Sequence, residues 1–415
     1  MKTPNPTMTD ALDEAVAGTG LVSAFQQVVA LPSETVVGYE ALARWPELDN
    51  PSPTDVFTRA AQTGRLNTLD RACIRAAARG ALLGTSTPGM LLLINCEPAT
   101  THIDPAQDDD VMHAAARFRL TFEVTERGLL TNPRALLRKV AALRSLGFAI
   151  ALDDIGSHPD SLVLLDVLSP EILKLDMGLI QHQPDRMQAR TVAAITAHHE
   201  RTGAVICAEG IETDDHLEQA LAYGATLGQG IRFGAPGELP ITPRAFSWPM
   251  RTTQPPTKVD PANLVLAEAV PTTRIVRKQT VTELARHIGR IAVNAETPPM
   301  ILFTLRGSED IHEISSRNLS AIAESSPLVA VFGKHLPAEL GPLVRQVRLD
   351  DDDPLTCEST VLVLGPDTAA ALIARERTFP TCGPDGDGDR RYEMSITFDR
   401  ARVTAAARSL LDRLH

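Results

Sequence analysis

Seven short apolar runs in the first 235 residues each end on a carboxylate, amide or ammonium side chain, and this repetition constrains the fold more than any other feature. Glu40 follows VVGY, Asn95 follows MLLLI and Glu123 follows LTF. Asp153-Asp154 follow FAIAL, Lys174 follows EIL, Glu209 follows VICA and Gln229 closes ATLG. Apolar runs this short, bounded by polar or turn residues, read as buried parallel strands. Helical patterns separate most of them. A strand–helix alternation with polar residues at the C-terminal strand ends is the α/β layout of a (β/α)8 barrel whose site lies on the top face. Glu40, Glu123, Asp153, Asp154 and Glu209 make that set rich in oxygen donors, which suits hard divalent cations.

The chain has 415 residues, enough for two or three domains, and 43% of them are apolar, enough for sizeable cores. Aromatic residues are only 4%, so aliphatic side chains must fill those cores. A net charge of −12 argues against a general nucleic-acid or anionic-membrane surface, so an anionic ligand needs local cations. The five cysteines are scattered, with no Cys-x-x-Cys, which indicates neither a zinc site nor a disulfide framework and suits a reducing cytoplasm. No run of about 18 apolar residues occurs, so no transmembrane helix is expected. The N-terminus lacks the apolar stretch of a signal peptide.

Residues 1–19 read as a loose polar lead-in, 20–237 as the barrel, 238–263 as a Pro-rich linker and 264–415 as a smaller α/β domain. Within the barrel, LVSAFQQVVAL reads as a first strand with Gln26 near its end. Helices are expected at Asp55 to Gln62, Asn67 to Arg79, Asn132 to Leu146, Arg186 to Arg201 and Asp214 to Tyr223. In the second domain Thr280 to Val293 reads as an amphipathic helix, and Arg317 to Glu324, Pro366 to Arg375 and Arg400 to Leu414 as further helices. MILFTL, LVAVFG, TVLVLG and YEMSITF read as strands.

The motifs carry a resemblance: Glu40-Ala41-Leu42, Asn95 in INCEP, Glu123-Val124-Thr125-Glu126, Asp153-Asp154-Ile155-Gly156, Leu173-Lys174-Leu175-Asp176, Ala208 to Thr213 and Gln229-Gly230. In this order and spacing, over Leu21 to Pro236, they resemble the EAL domain family of cyclic di-GMP phosphodiesterases. The resemblance implies two ions of Mg²⁺ or Mn²⁺. Glu40, Asn95, Glu123 and Asp153 would hold the first, and Asp153 with Asp154 the second. Lys174 would sit by the attacking water, Glu209 would be the general base, and Glu212 and Gln229 would support them. Arg44 and Gln26 would contact the cyclic di-GMP, and Glu126 would anchor the loop after the paired aspartates. The resemblance also implies hydrolysis to linear pGpG and a homodimer.

That loop departs from the family pattern. Residues 155–162 read Ile-Gly-Ser-His-Pro-Asp-Ser-Leu, with Pro159 fixing one φ and His158 lacking glycine's freedom. The departure leaves a second reading, a non-hydrolysing cyclic di-GMP receptor. Val281 to His415 resembles the DICT sensory domain, in LVAVFGKHLP, DDDPLTCESTVLVLGPDTAAALIAR and RRYEMSITFDRARVTAAARSLL. This implies a sensor of an unknown signal. Asp385-x-Asp387-x-Asp389 has Arg390 and Ile396 where a calcium loop needs Gly and Glu, so calcium is not expected there.

Overall fold

The computed structural model describes residues 8–84, 88–98, 100, 108–125, 130–157, 159–239, 273–306, 316–336, 340–377 and 391–414. The chain divides into two compact units. The first comprises Met1–Leu129, Arg138–Pro159 and Pro170–Thr253; the second comprises Leu130–Leu137, Asp160–Ser169 and Gln254–His415.

Eight strands close the barrel in chain order: β1 (Val22–Ala30), β2 (Thr35–Arg44), β3 (Leu91–Asn95), β4 (Arg119–Thr125), β5 (Ala149–Ile155), β6 (Ile172–Leu175), β7 (Val205–Ala208) and β8 (Leu227–Gly228). Neighbours from β2 to β8 are parallel. β1 runs antiparallel to both β2 and β8. Residues 31–34 leave no room for a crossover, and so short a connection joins only antiparallel strands. The reversal places Gln26 in mid-strand opposite Glu40, rather than near the strand end.

The sequence period then places the site. Leu93, Ala151, Ile172, Cys207 and Leu227 belong to one buried cluster inside the barrel. Each lies two residues before Asn95, Asp153, Lys174, Glu209 or Gln229, so on a period of two the polar residues continue the same inward face. The outer helices have local causes. Arg186–Thr202 starts on a capping box between Asp185 and Gln188 and ends at Gly203 with φ 75°. The expected helices appear as Pro53–Gln62, Leu66–Leu83, Pro133–Ser145, Arg186–Thr202 and Asp214–Ala222. The lead-in contains a helix, Met8–Val16, whose Ala15 and Val16 are buried with Trp45, Val56 and Ala60. Asp13 on that helix pairs with Arg59 at 2.7 Å. Ala15 and Val16, with Leu12 packed beside them and the Asp13–Arg59 pair, dock a segment that otherwise reads as polar.

The second unit is built on a seven-stranded mixed sheet: β9 (Arg274–Arg277), β10 (Met300–Leu305), β11 (Val329–Gly333), β12 (Val344–Arg348), β13 (Glu358–Leu364), β14 (Ala369–Arg377) and β15 (Arg391–Thr397), in the order 12-11-10-13-14-15-9. Helices Lys278–Val293 and Ser316–Ser325 contribute Ile288, Ala292, Leu319 and Ala323 to a core over one sheet face. The helix Arg400–Leu411 buries Val403, Ala407 and Leu410. Inside this unit Arg400 pairs with Asp166 at 2.5 Å, and Arg408 donates to the Val167 carbonyl at 2.7 Å.

Pro366 to Arg375 is a correction. The Ala-rich stretch is strand β14, not a helix. Gly365 and Thr368 close a tight turn, with N–H to carbonyl distances of 2.7 and 3.3 Å, and β14 is then paired on both edges by β13 and β15. Pairing on two edges outweighs an alanine's helix propensity of a few tenths of a kcal/mol. Among the described residues no helix is long and apolar enough to cross a membrane. Most of the linker and the whole Asp385-x-Asp387-x-Asp389 stretch lie outside the described residues.

Candidate functional site

Lys174 is the centre of the barrel's polar end. It is fully buried on β6, and its Nζ lies 2.7 Å from Glu123 Oε1, 2.7 Å from Glu209 Oε1, 3.0 Å from Asp153 Oδ1 and 3.3 Å from Glu40 Oε2. These acids come from β4, the end of β7, β5 and β2. Amides brace Glu40: Asn95 Nδ2 donates to its Oε1 at 3.0 Å and Gln229 Nε2 to its Oε2 at 2.9 Å.

Main-chain bonds carry the barrel ladder past the strand ends and so fix the two residues that lie beyond them. Glu209 N–H donates to Leu175 O at 3.1 Å, and Gln229 N–H to Ala208 O at 2.8 Å. Gly230 follows at φ 157°, and a Cβ there would lie 2.0 Å from Ile211 O. Only glycine allows that close approach. Asp154 departs from the strand period. It has φ 58°, and the β5–β6 register shifts between Leu152 and Ile155. A bulge with a non-glycine residue in the left-handed region is strained, and it re-aims a side chain that a regular strand would turn outward. As a result Asp153, Asp154 and Glu209 each present a carboxylate oxygen within 4.8 Å of the others.

The charges do not balance. Four carboxylates face one ammonium, and a fifth, Asp154, lies close to two of them. Burial is the largest influence on Glu209 and pushes its carboxyl up to about 8, with Lys174 opposing and Asp153 and Glu40 adding to the rise. Burial likewise raises Glu123 well above the ordinary range, helped by Glu40 and opposed by Lys174. Glu40 goes the other way: burial would raise it, but Lys174, Gln229 and Asn95 hold it low. Lys174 is raised despite burial because four acids surround it. Among the described residues no aligned hydrogen bond reaches either Glu123 oxygen or Asp153 Oδ1, although Lys174 is close. Buried carboxylate oxygens short of partners, an oxygen-dominated donor set and a deficit of positive charge all fit divalent cations. Glu40, Asn95, Glu123, Asp153 and Asp154 could hold them, with Glu209 beside the last two.

The remaining sequence-derived residues are placed as follows. Arg44 ends β2 four residues beyond Glu40, half-buried, with its guanidinium donating to Ala43 O at 2.8 Å. Gln26 pairs across from Glu40 and is half-buried. Glu212 is exposed on the loop after β7, and its N–H donates to His216 Nδ1 at 3.3 Å; its side chain is not among the contacts that gather on Lys174. Glu126 and His158 lie outside the described residues.

A second buried group sits behind Asn95 and was not singled out from sequence. Lys139 is 2% exposed and donates to Glu97 O and Thr100 Oγ1, both at 2.5 Å. Asp70 is 1% exposed and accepts from Glu97 N–H at 3.0 Å and Thr100 Oγ1 at 2.7 Å. Burial raises the Asp70 carboxyl, against the pull of Lys139 and these hydrogen bonds. The network grips the turn that begins one residue after Asn95. Its signal in sequence is faint: Lys139 and Asp70 sit among ordinary charged helix residues.

Comparison with known proteins matches residues 9–236 to the model of the EAL domain. A probable cyclic di-GMP phosphodiesterase, PdeB of Escherichia coli strain K12, is 31% identical over 229 residues, covering 53% of this chain and 43% of that protein. The cyclic di-GMP phosphodiesterase RocR of Pseudomonas aeruginosa is 26% identical over 224 residues, covering 51% of this chain and 56% of that protein. Among solved structures, the manganese and cy-diGMP complex of Klebsiella pneumoniae BlrP1 at pH 9.0 is 28% identical, covering 53% of this chain and 57% of that one, with a TM-score of 0.43. The chain spans 28% to 56% of the length of the curated relatives it matches. With the model matched over more than half its length, the chain belongs to the EAL domain family.

Proposed function

We propose that this chain hydrolyses one phosphodiester of cyclic di-GMP to linear pGpG, using Mg²⁺ or Mn²⁺, and that the second unit regulates the reaction in response to a signal. The observation that carries the reading is the convergence of four acids on Lys174, at 2.7 to 3.3 Å, two of which, Asp153 and Glu209, form a triad of carboxylates with Asp154 within 4.8 Å. The relatives named as cyclic di-GMP phosphodiesterases support it.

Two bound cations would neutralise the surplus negative charge, polarise the phosphodiester and acidify water near neutral pH. Glu40, Asn95, Glu123, Asp153 and Asp154 would hold them. Glu209 is the acid of the Lys174 cluster most open to solvent, with its side chain 20% exposed against 10% or less for the other three. It is therefore the carboxylate placed to take a proton from attacking water at its own oxygen. Lys174 Nζ fixes the position of Glu209 and offsets its charge. Gln229 and Asn95 orient Glu40. Arg44 offers a guanidinium fork to a phosphate at the rim, and Gln26 offers an amide. A homodimer in a reducing cytoplasm is the setting proposed for the reaction.

The test is direct. Purified chain, cyclic di-GMP and Mn²⁺ or Mg²⁺ should yield pGpG, and a chelator should stop it. Tight cyclic di-GMP binding with no pGpG under either metal would replace the enzyme with a receptor.

A further inference from the structure

The second unit contains a cavity of about 590 Å³ bordered by helices Lys278–Val293 and Ser316–Ser325 and floored by the sheet. That volume is in the range of sites for small organic ligands. Its floor carries the apolar side chains of Phe303 and Leu305 of β10, Val361 of β13 and Leu372 of β14, with Thr304, Ser359 and Thr360 beside them. Its charged lining residues are Lys278, Arg286 and Arg290, all basic and all on one helix. In a chain of net charge −12, a lining whose described residues include basic and no acidic side chains is a marked local reversal. Arg286 pairs with exposed Glu283 at 2.5 Å, a surface pair that exchanges readily with another anion. Among the described residues the Arg290 guanidinium has no hydrogen-bond or ion-pair partner.

Gly289 is the second observation. It lies mid-helix, and a Cβ added there would meet nothing within 4 Å. It has no positive φ and no close neighbour to require it, yet glycine is the poorest helix former after proline. What its missing side chain preserves is space, because Gly289 lines the cavity between Arg286 and Arg290.

We infer that this cavity binds a small amphiphilic anion, with an apolar body over Phe303, Leu305, Val361 and Leu372 and an acidic head group at Arg286 and Arg290. The inference stands on the second unit alone and does not depend on the phosphodiesterase reading. It supplies a chemical class for the unknown signal.

Decanoate, decanol and decylammonium share an apolar chain and differ in head-group charge, so titrating each into the full chain by calorimetry separates the contributions. Decanoate should bind saturably, one per chain, and more tightly than decanol, with decylammonium weakest. Arg290→Glu should weaken decanoate roughly tenfold or more, as loss and reversal of a charged contact does. Gly289→Leu fills the cavity from open space and favours the helix, so it should abolish binding while the melting temperature stays at or above that of the unaltered chain. Decylammonium binding as tightly as decanoate would overturn the inference. So would the absence of saturable decanoate binding, or unchanged binding in Gly289→Leu.

Discussion

The first unit buries two lysines, Lys174 and Lys139, at 0% and 2% exposure, and they do opposite things. Lys139 hydrogen-bonds a carbonyl and a hydroxyl and sits near one carboxylate, Asp70, whose own oxygens are filled by Glu97 N–H and Thr100 Oγ1. One positive and one negative charge are matched, and their hydrogen-bonding atoms are used. Lys174 faces four acids with a fifth, Asp154, close by, and buried oxygens of Glu123 and Asp153 lack aligned hydrogen bonds. Burial alone therefore does not mark a functional site. A balanced buried network is scaffold. An unbalanced one is stabilised by further cations, which fits a cation-binding role.

The largest expected contrast is in turnover. Glu209→Gln should lower the rate roughly 10²–10⁴-fold while sparing cyclic di-GMP binding, as loss of a general base does. Asp70→Asn should change turnover far less, since the hydrogen bonds of Asp70 go to the turn after Asn95 and not to the Lys174 cluster. Equal losses in the two variants would erase the distinction.

Stability should separate the lysines next. Removing one partner of a buried ionic group destabilises by about 3–5 kcal/mol. Lys139→Met and Lys174→Met should both show this loss in denaturant unfolding with a chelator present. Added Mn²⁺ should restore stability to Lys174→Met, by replacing the missing positive charge, and should leave Lys139→Met unimproved.

The pH dependence is smaller and has a definite sign. Glu209 keeps its proton in the metal-free folded state up to about 8, while the unfolded chain releases it near 4.5. Its stabilising contribution is whole below 4.5 and is lost as pH rises through about 8. Metal-free protein should thus melt progressively lower across that window. Glu209→Gln should flatten the slope, and Mn²⁺ should oppose it at the alkaline end. A melting temperature that rose with pH in the chelated protein would contradict the assignment. The smallest effect belongs to Asp154→Gly. Relief of the left-handed residue should stabilise the chelated protein by about 1 kcal/mol and at the same time weaken Mn²⁺ binding.

Much of the barrel was legible because its strands are short and each ends on a residue that an apolar core rejects. Glu123 after LTF and Lys174 between two leucines have no reason to be buried except each other. What escaped depends on tertiary context. The reversal of β1 was present in the shortness of residues 31–34 but was hidden by reading every run as parallel. Lys139 and Asp70, on helices 69 residues apart in sequence number, are bridged through Glu97 and Thr100, and no local pattern announces it. Residues Ala369–Arg377 carry a helical composition and are a strand because β13 and β15 both pair with them. The inward aim of Asp154 comes from a bulge, and nothing in the pair Asp153-Asp154 indicates which of the two carries the positive φ.

The proposed cation site rests on surplus charge around Lys174 and not on burial. Calorimetric titration of Mn²⁺ into chelator-treated protein, with Asp153→Asn and Asp70→Asn in parallel, tests it most directly. Mn²⁺ should bind, with Asp153→Asn weakening it by roughly tenfold or more, as loss of a charged ligand contact should, and Asp70→Asn leaving it intact. Unchanged binding in Asp153→Asn, or an equal loss in both variants, would contradict it.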